Sequence, residues 1–341
     1  SSYINAVKSK LDANTKNKIN YSYEYLNPDY YNPDHEQTEM LISFLKQKYQ
    51  SQQPDMVIAH LAPLINKYAD AVFPKIPVIY SGAENDFSDP RTSPYFISFQ
   101  EMYDFRKAVQ VIFQLQPEKK KIYIVLGDSE EERLSLPKIA TAIQEYRNSI
   151  EFVYLNTKPF AEILKIAKAL DDNSVILYVQ LLKDFHGKTF IPGAALQQLH
   201  QEASAPIYAV GGQYIGKGST GGYVLNRSHQ GAYSAGIAAK ILNGTNITDI
   251  HAENISFGEY VFDWRELKHW KIKEENLPPG SVIEYKQYTL WDLYKWQIIA
   301  LLIVVTLLAL VLILMISKRK KVPAFDTSSV FRPQTDEEAK P

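Results

Sequence analysis

Short continuous apolar runs alternate along the chain with stretches whose apolar positions recur every three or four residues. Residues 3–11 have helical spacing, and the tyrosine-rich run INYSYEYL at 19–26 is predicted to be a strand. A helix follows, with Met40, Leu41, Phe44, Leu45 and Tyr49 on one face. PDMVIAHLA, starting at Pro54, and PVIYSG at 77–82 are short, continuously apolar and bounded by proline, as strands buried on both faces are. The residues between them, 63–73, read as a helix.

After an interval at 84–94 rich in proline and serine, the pattern restarts. Residues 102–115 are predicted helical, KKIYIVLGD is a strand ending at Gly127 and Asp128, and 134–146 are helical again. Strand EFVYLNT, helix 161–170, strands SVILYVQL and PIYAVGG, strand YVL and helix 231–242 complete the series, with Asn243 and Gly244 as a helix stop. Strand and helix in alternation predict parallel sheets covered on both sides. Right-handed crossovers make each unit a doubly wound sheet, whose ligand sites sit where strand ends and their loops face a crevice. The loops that matter are then those after His60, Gly82, Asp128, Gln180 and Gly212.

A different pattern occupies residues 298–316, where nineteen residues are interrupted only by Thr306. At about 1.5 Å of rise each they reach the ~30 Å hydrocarbon thickness of a bilayer. A buried core helix is usually shorter and carries polar positions. Lys318, Arg319, Lys320 and Lys321 mark the cytoplasmic side, and Trp291, Tyr294 and Trp296 form an interfacial aromatic belt on the other. The region before the span is therefore expected outside the cytoplasm. Residues 276–297, aromatic, charged and broken by Pro278, Pro279 and Gly280, form a juxtamembrane connector, and the polar tail at 317–341 is expected to be cytoplasmic and disordered.

Composition narrows the chemistry. The pre-membrane region is long enough for two lobes with their own cores. A formal net charge of -1 with interspersed signs gives no nucleic-acid footprint, and the absence of cysteine excludes disulfides, thiolate metal sites and a cysteine nucleophile. Gly216, Gly218 and Gly221 match GxGxxG, but β-prone Tyr223, Val224 and Leu225 follow where a dinucleotide loop opens a helix. Gly211, Gly216 and Lys217 approach a P-loop, yet Gly218 stands where Ser or Thr must hold Mg²⁺. A glycine-rich crossing between lobes fits better. The seven histidines lack zinc spacing, no GxSxG elbow exists, and neither Ser81 nor Ser129 has a base partner in sequence. No catalytic residue, metal or cofactor is expected.

The residues left for ligand binding are His60, Leu61, Ser81, Gly82, Asp128, Ser129, Gln180 and Tyr214. Each has a bland alternative. His60 ends a buried strand and either lines a pocket or is a satisfied structural histidine. Asp128, Ser129, Glu130 and Glu131 either cap a helix or contact a ligand, an amine for example. Tyr80, Tyr178 and Tyr214 lie near strand ends, where aromatics meet organic ligands, though core packing accounts for tyrosines equally well.

The ordered set EYLNPDYY, KYQSQQPDMVIA, FPKIPVIYSG and LQPEKKKIYIVLGD, followed by APIYAVGGQYIGKGSTGGYVLNRSHQGAYSAGIAAKILNGTNI and FDWRELKHWKIKEENLPPGS, resembles bacterial extracytoplasmic sensor regions built like ABC-transporter substrate-binding proteins. The resemblance covers most of residues 1–316. It implies the type I periplasmic-binding fold, α/β with two doubly wound parallel-sheet lobes, followed by one C-terminal transmembrane helix. Lobe 1 is expected at 1–100 and 222–275 and lobe 2 at 101–221. It implies a membrane-anchored sensor in the bacterial cytoplasmic membrane, its N-terminal domain extracytoplasmic, binding a small molecule without turnover. Implied partners are a histidine kinase or cyclase output module, and a second copy in a homodimer; the alternative is a tethered subunit serving an ABC permease. Two departures stand out: the family has a further strand before the helix that begins near Ser1, and no output module follows Lys321 in this chain.

Overall fold

The computed structural model describes residues 2–26, 35–83, 93–101, 103–253, 256–288 and 290–319. The interval 84–92 and the tail from 320 onward lie outside them. The chain divides into two compact units, Ser1–Lys286 and Gln287–Pro341.

In chain order the first unit contains α1 (Ser2–Asn14), α2 (His35–Tyr49), β1 (Val57–His60), α3 (Pro63–Val72), β2 (Val78–Ala83) and β3 (Phe96–Glu101). Next come α4 (Phe105–Leu115), β4 (Lys121–Leu126), α5 (Glu130–Ala142), β5 (Glu151–Tyr154), α6 (Phe160–Lys168), β6 (Ser174–Gln180) and α7 (Pro192–Glu202). It ends with β7 (Ile207–Ala209), β8 (Gly221–Leu225), α8 (Arg227–Leu242), β9 (Gly258–Asp263), α9 (Trp264–His269) and β10 (Val282–Glu284).

Two sheets result. β1-β2-β3 form a three-stranded parallel sheet in that order. Alternating side chains serve its two faces, because strand neighbours point opposite ways. Ile79, Ile97 and Phe99 pack on α1 and α8, while Val78, Tyr80 and Ala59 pack on α2 and α3. α1 and α8 approach closely at Gly231, where a Cβ would lie 2.5 Å from the Tyr3 carbonyl oxygen.

The second sheet has seven strands in the order β10-β9-β8-β7-β6-β4-β5. Ile122, Ile124, Leu126, Val175 and Leu177 face one core layer with α4 and α5. Val125, Ile176, Tyr178, Ile207 and Ala209 face the other with α6 and α7. β8 and β9 pair antiparallel, and β10 runs parallel to β9 at the edge.

Several expectations change. Residues 19–26 form no strand and pair with none among the described residues; β1, across a groove from them, bonds only β2. β3 and α7 join the predicted elements, and β9, α9 and β10 arise within the stretch from Phe257 to the connector. Residues 222–275 do not all go with the first sheet. β8 and β9 bond into the seven-stranded sheet, and between them α8 packs back on the three-stranded one. The chain therefore crosses between the two sheets three times: from β3 to α4, from β8 to α8, and from Phe257 to β9.

The second unit contains α10 (Leu290–Arg319). Its stretch Leu293–Lys318 is long and apolar enough to cross a membrane. The helix starts well before residue 298, so Trp291, Tyr294 and Trp296 belong to its first turns.

Candidate functional site

The parallel strands bring the predicted residues to two edges. On the three-stranded sheet, His60 pairs in register with Ser81, and Leu61 N–H donates to the Ser81 carbonyl at 2.8 Å. The His60 ring stacks on Tyr3, centroids 4.0 Å apart and 9° from parallel. Arg227, the first residue of α8, approaches His60 Nε2 with Nη1 at 2.8 Å. A guanidinium only donates, so Nε2 accepts and the proton sits on Nδ1. Nδ1–H then donates to Ser81 Oγ at 3.0 Å.

The chain of bonds has one direction. Ser234 O–H donates to the Gln230 carbonyl at 3.3 Å. Tyr3 Oη, 2.6 Å from Ser234 Oγ, must therefore donate to it, and Ser81 Oγ donates to Tyr3 Oη at 3.2 Å. Burial, then the Arg227 charge, push the His60 pKa down to about 3, so the ring is neutral and serves as a relay rather than a cation. Leu61 follows in the left-handed region at φ 48°, a strained conformation for a bulky residue at a strand end. Gly82 is buried in β2 beside Gln100.

On the seven-stranded sheet the loops after β4 and β6 are bound together by Glu132, which is 3% exposed. Its Oε1 accepts from Gly127 N at 3.1 Å and Leu182 N at 2.7 Å, and its Oε2 from Ser129 N at 3.0 Å and Lys183 N at 3.4 Å. Ser129 Oγ accepts from Glu132 N at 3.2 Å, completing a capping box at the start of α5. The bland alternative thus holds for the Ser129 hydroxyl. Asp128 pairs with Arg133 at 3.3 Å, and the side chains of Glu130 and Glu131 lie outside the described residues. Gln180 is half-buried at the end of β6, its carbonyl accepting from Gly127 N. Tyr214 is buried and packs edge-on against Tyr178 at 5.0 Å, whose hydroxyl donates to the Pro192 carbonyl at 2.7 Å. Burial raises the pKa of both phenols.

Polar contacts tie the chain together at the crossings. Asn226 N–H donates to the Phe257 carbonyl at 2.9 Å, its side-chain oxygen caps α8, and its amide donates to Glu259. Lys107 Nζ, in the first turn of α4, donates to Tyr223 Oη at 3.3 Å, and that hydroxyl lies 3.2 Å from Ser256 Oγ. The lysine pKa is raised, chiefly by the Tyr223 bond. Gly211 bridges to Leu225, and a Cβ on Gly212 would lie 3.1 Å from the Leu225 carbonyl oxygen. Sequence inspection missed Tyr3, Arg227, Gln230 and Ser234. Only Glu132 carried a local signal, the Ser-x-x-Glu spacing from Ser129.

A cavity of about 1340 Å³ lies between residues 16–26 and the outer edge of β1 and reaches His60 and Leu61, with Tyr3, Leu11 and Tyr49 also in its walls. An eight-residue strand, at about 3.3 Å per residue, 4.8 Å wide and 10 Å deep, fills about 1,300 Å³. The groove has about the volume of one further strand beside β1.

Two α/β lobes joined by three crossings define a two-lobed α/β protein. Residues 15–277 match the model of the ABC transporter substrate binding protein family, and the chain belongs to that family. No curated protein sequence matches it. Among solved structures it is similar to the ligand-free, open form of CD0873, a substrate binding protein with adhesive properties from Clostridium difficile, at TM-score 0.59 and 14% identity over 84% of this chain and 95% of that one. It is similar to an ABC domain from Streptococcus pneumonia in complex with L-Trp, at TM-score 0.57 and 15% identity over 83% and 95%. A chain of the TorS sensor domain–TorT complex in the presence of TMAO gives TM-score 0.50 and 10% identity over 84% and 94%. These likenesses establish the periplasmic-binding-protein fold. The protein is a substrate-binding protein of ABC-transporter type.

Proposed function

We propose that the protein is a membrane-anchored extracytoplasmic solute sensor. A small organic ligand binds between the lobes, against His60, Leu61, Ser81 and Gly82 on one edge and Asp128, Ser129, Gln180 and Tyr214 on the other. Ser129 and Tyr214, whose hydroxyls are engaged or buried, contribute backbone and shape. The observation that carries this is the joining of two α/β sheets by three crossings, in a chain that continues into a helix able to cross a membrane. A ligand touching both edges binds the closed arrangement more tightly and so shifts the population toward it. The structural likeness to a chain of a sensor domain–partner complex favours this use of the fold. The family match favours a second reading, a membrane-tethered substrate-binding subunit delivering ligand to an ABC permease.

One experiment separates them. The chain has no cysteine, so Lys67→Cys on α3 and Lys165→Cys on α6, both exposed, accept a fluorophore pair in the full chain in nanodiscs. Amino acids, nucleobases and small sugars are screened by thermal shift, and a hit must bring the labels closer. A sensor then also changes the environment of a probe at Ser317→Cys; a tethered subunit closes without that change. A hit whose affinity is untouched by substitutions at His60, Asp128 and Gln180 would sink the cleft assignment.

A further inference from the structure

Gln230 is completely buried, and neither its Oε1 nor its Nε2 has a hydrogen-bond partner. Tyr154, Thr220, Glu266 and Trp270 each leave one buried side-chain atom unpaired. Among the described residues, Gln230 is the one whose whole polar head is orphaned, with two donors and one carbonyl acceptor at stake. Leaving such a group dry is expensive, and Met would fill the same volume without the cost.

Its position says what the amide faces. Arg227 and Ser234 flank Gln230 at i−3 and i+4, so all three share one face of α8. Arg227 reaches His60 Nε2 at 2.8 Å, and Ser234 reaches Tyr3 Oη at 2.6 Å, which in turn meets Ser81. Gln230 therefore stands between two residues that touch the edge carrying His60 and Ser81. Helical side chains lean toward the helix N-terminus, here the crossing from β8 beside Gly211 and Gly212.

We infer that Gln230 reads the ligand at the base of the cleft once the lobes part and uncover it, its amide pairing with an uncharged group that carries a donor and an acceptor together, a carboxamide or a hydroxyl. This rests on the cleft proposed above. The class follows from the orphaned atoms: a carboxylate would satisfy the N–H groups and leave Oε1 unpaired, and an ammonium would do the reverse. A group with both functions pairs both atoms at once.

The test uses the full chain in detergent micelles, followed by thermal unfolding. Nicotinamide and myo-inositol carry the neutral donor-acceptor group, benzoate only acceptors, and benzylamine only donors. Nicotinamide or myo-inositol is expected to raise the midpoint, and benzoate and benzylamine are not. Gln230→Met is expected to raise the ligand-free midpoint by about 2–4 °C, because it removes an unpaired buried amide. The same variant should weaken the active probe at least tenfold. If it does not fold, Gln230→Asn, which withdraws the amide by one methylene, reads the same point with an affinity loss. Unchanged affinity in the variant overturns the assignment and leaves the cleft intact. A lower ligand-free midpoint in Gln230→Met overturns it too, since the amide would then be holding the fold through a trapped water. Benzoate or benzylamine as the active probe, or silence from all four while the wider screen finds a ligand, overturns the ligand class. Silence from both screens overturns the cleft reading and this inference with it.

Discussion

Glu132→Gln is a sensitive probe of the seven-stranded sheet's cleft edge. The wild-type carboxylate accepts four backbone N–H groups, two on each oxygen, and thereby joins the loop after β4 to the loop after β6. Glutamine has nearly the same shape, but whichever way its amide turns, an NH₂ group faces two N–H donors. Two buried donors are stranded at about 1–3 kcal/mol each, less at the long Lys183 contact, so the loss is about 2–5 kcal/mol. For a lobe of this size that corresponds to a midpoint about 5–15 °C lower. Ser129→Ala is the control, since it removes only the cap bond, worth about 1 kcal/mol. Thermal unfolding followed by tryptophan fluorescence compares the two, and hydrogen exchange at Gly127, Leu182 and Lys183 reports the loops directly. A Glu132→Gln midpoint no lower than that of Ser129→Ala, with exchange unchanged, would refute the account of this carboxylate as the tie between the loops.

Acid should weaken the fold through His60. Its folded pKa of about 3 lies below the unfolded value of 6.5, so the unfolded chain takes up the proton first on acidification. The stabilisation is present above about pH 6.5 and lost as pH falls toward 3, about 2 kcal/mol of it by pH 5. His60→Gln, which keeps a donor and an acceptor but does not titrate there, should flatten this part of a urea-denaturation pH profile; an unaltered profile counts against a buried neutral ring. Two glycines separate strain from crowding. Gly187→Ala meets open space at φ 81° and should cost about 1–2 kcal/mol. Gly221→Ala adds a Cβ 2.2 Å from the Val261 carbonyl oxygen at φ 119° and should cost about 3–5 kcal/mol, so equal denaturation midpoints for the two would be contrary evidence. In α10, Leu308→Arg raises the cost of insertion by about 3 kcal/mol and should increase the fraction released by carbonate extraction, whereas an unchanged fraction would argue against a bilayer-spanning role.

What was legible beforehand depended on how local the signal was. β1, β2, β4 and β6 are short apolar runs between turn residues, and their strand ends locate His60, Ser81, Asp128 and Gln180 without tertiary information. The Ser129–Glu132 cap also lies within four residues. β3 was not legible, because FISFQE mixes polar and apolar positions and becomes a strand through its pairing with β2. Residues 19–26 had the opposite fate, since strand propensity without a bonded neighbour makes no strand. Tyr3 and Arg227 could not be named as partners of His60, because 57 and 167 residues separate them from it along the chain.

The sequence by itself determined the alternation that makes two covered α/β sheets, and the long apolar run at 298–316. Both depend on periodicity and length, which a linear chain displays. Only the tertiary structure decided that the chain returns to the first sheet through α8 after adding β8 to the second. That return stacks Tyr3 on His60, sets Arg227 against the ring and buries Gln230 without a partner. Whether a polar group is satisfied depends on atoms brought from distant parts of the chain, and no local pattern records it.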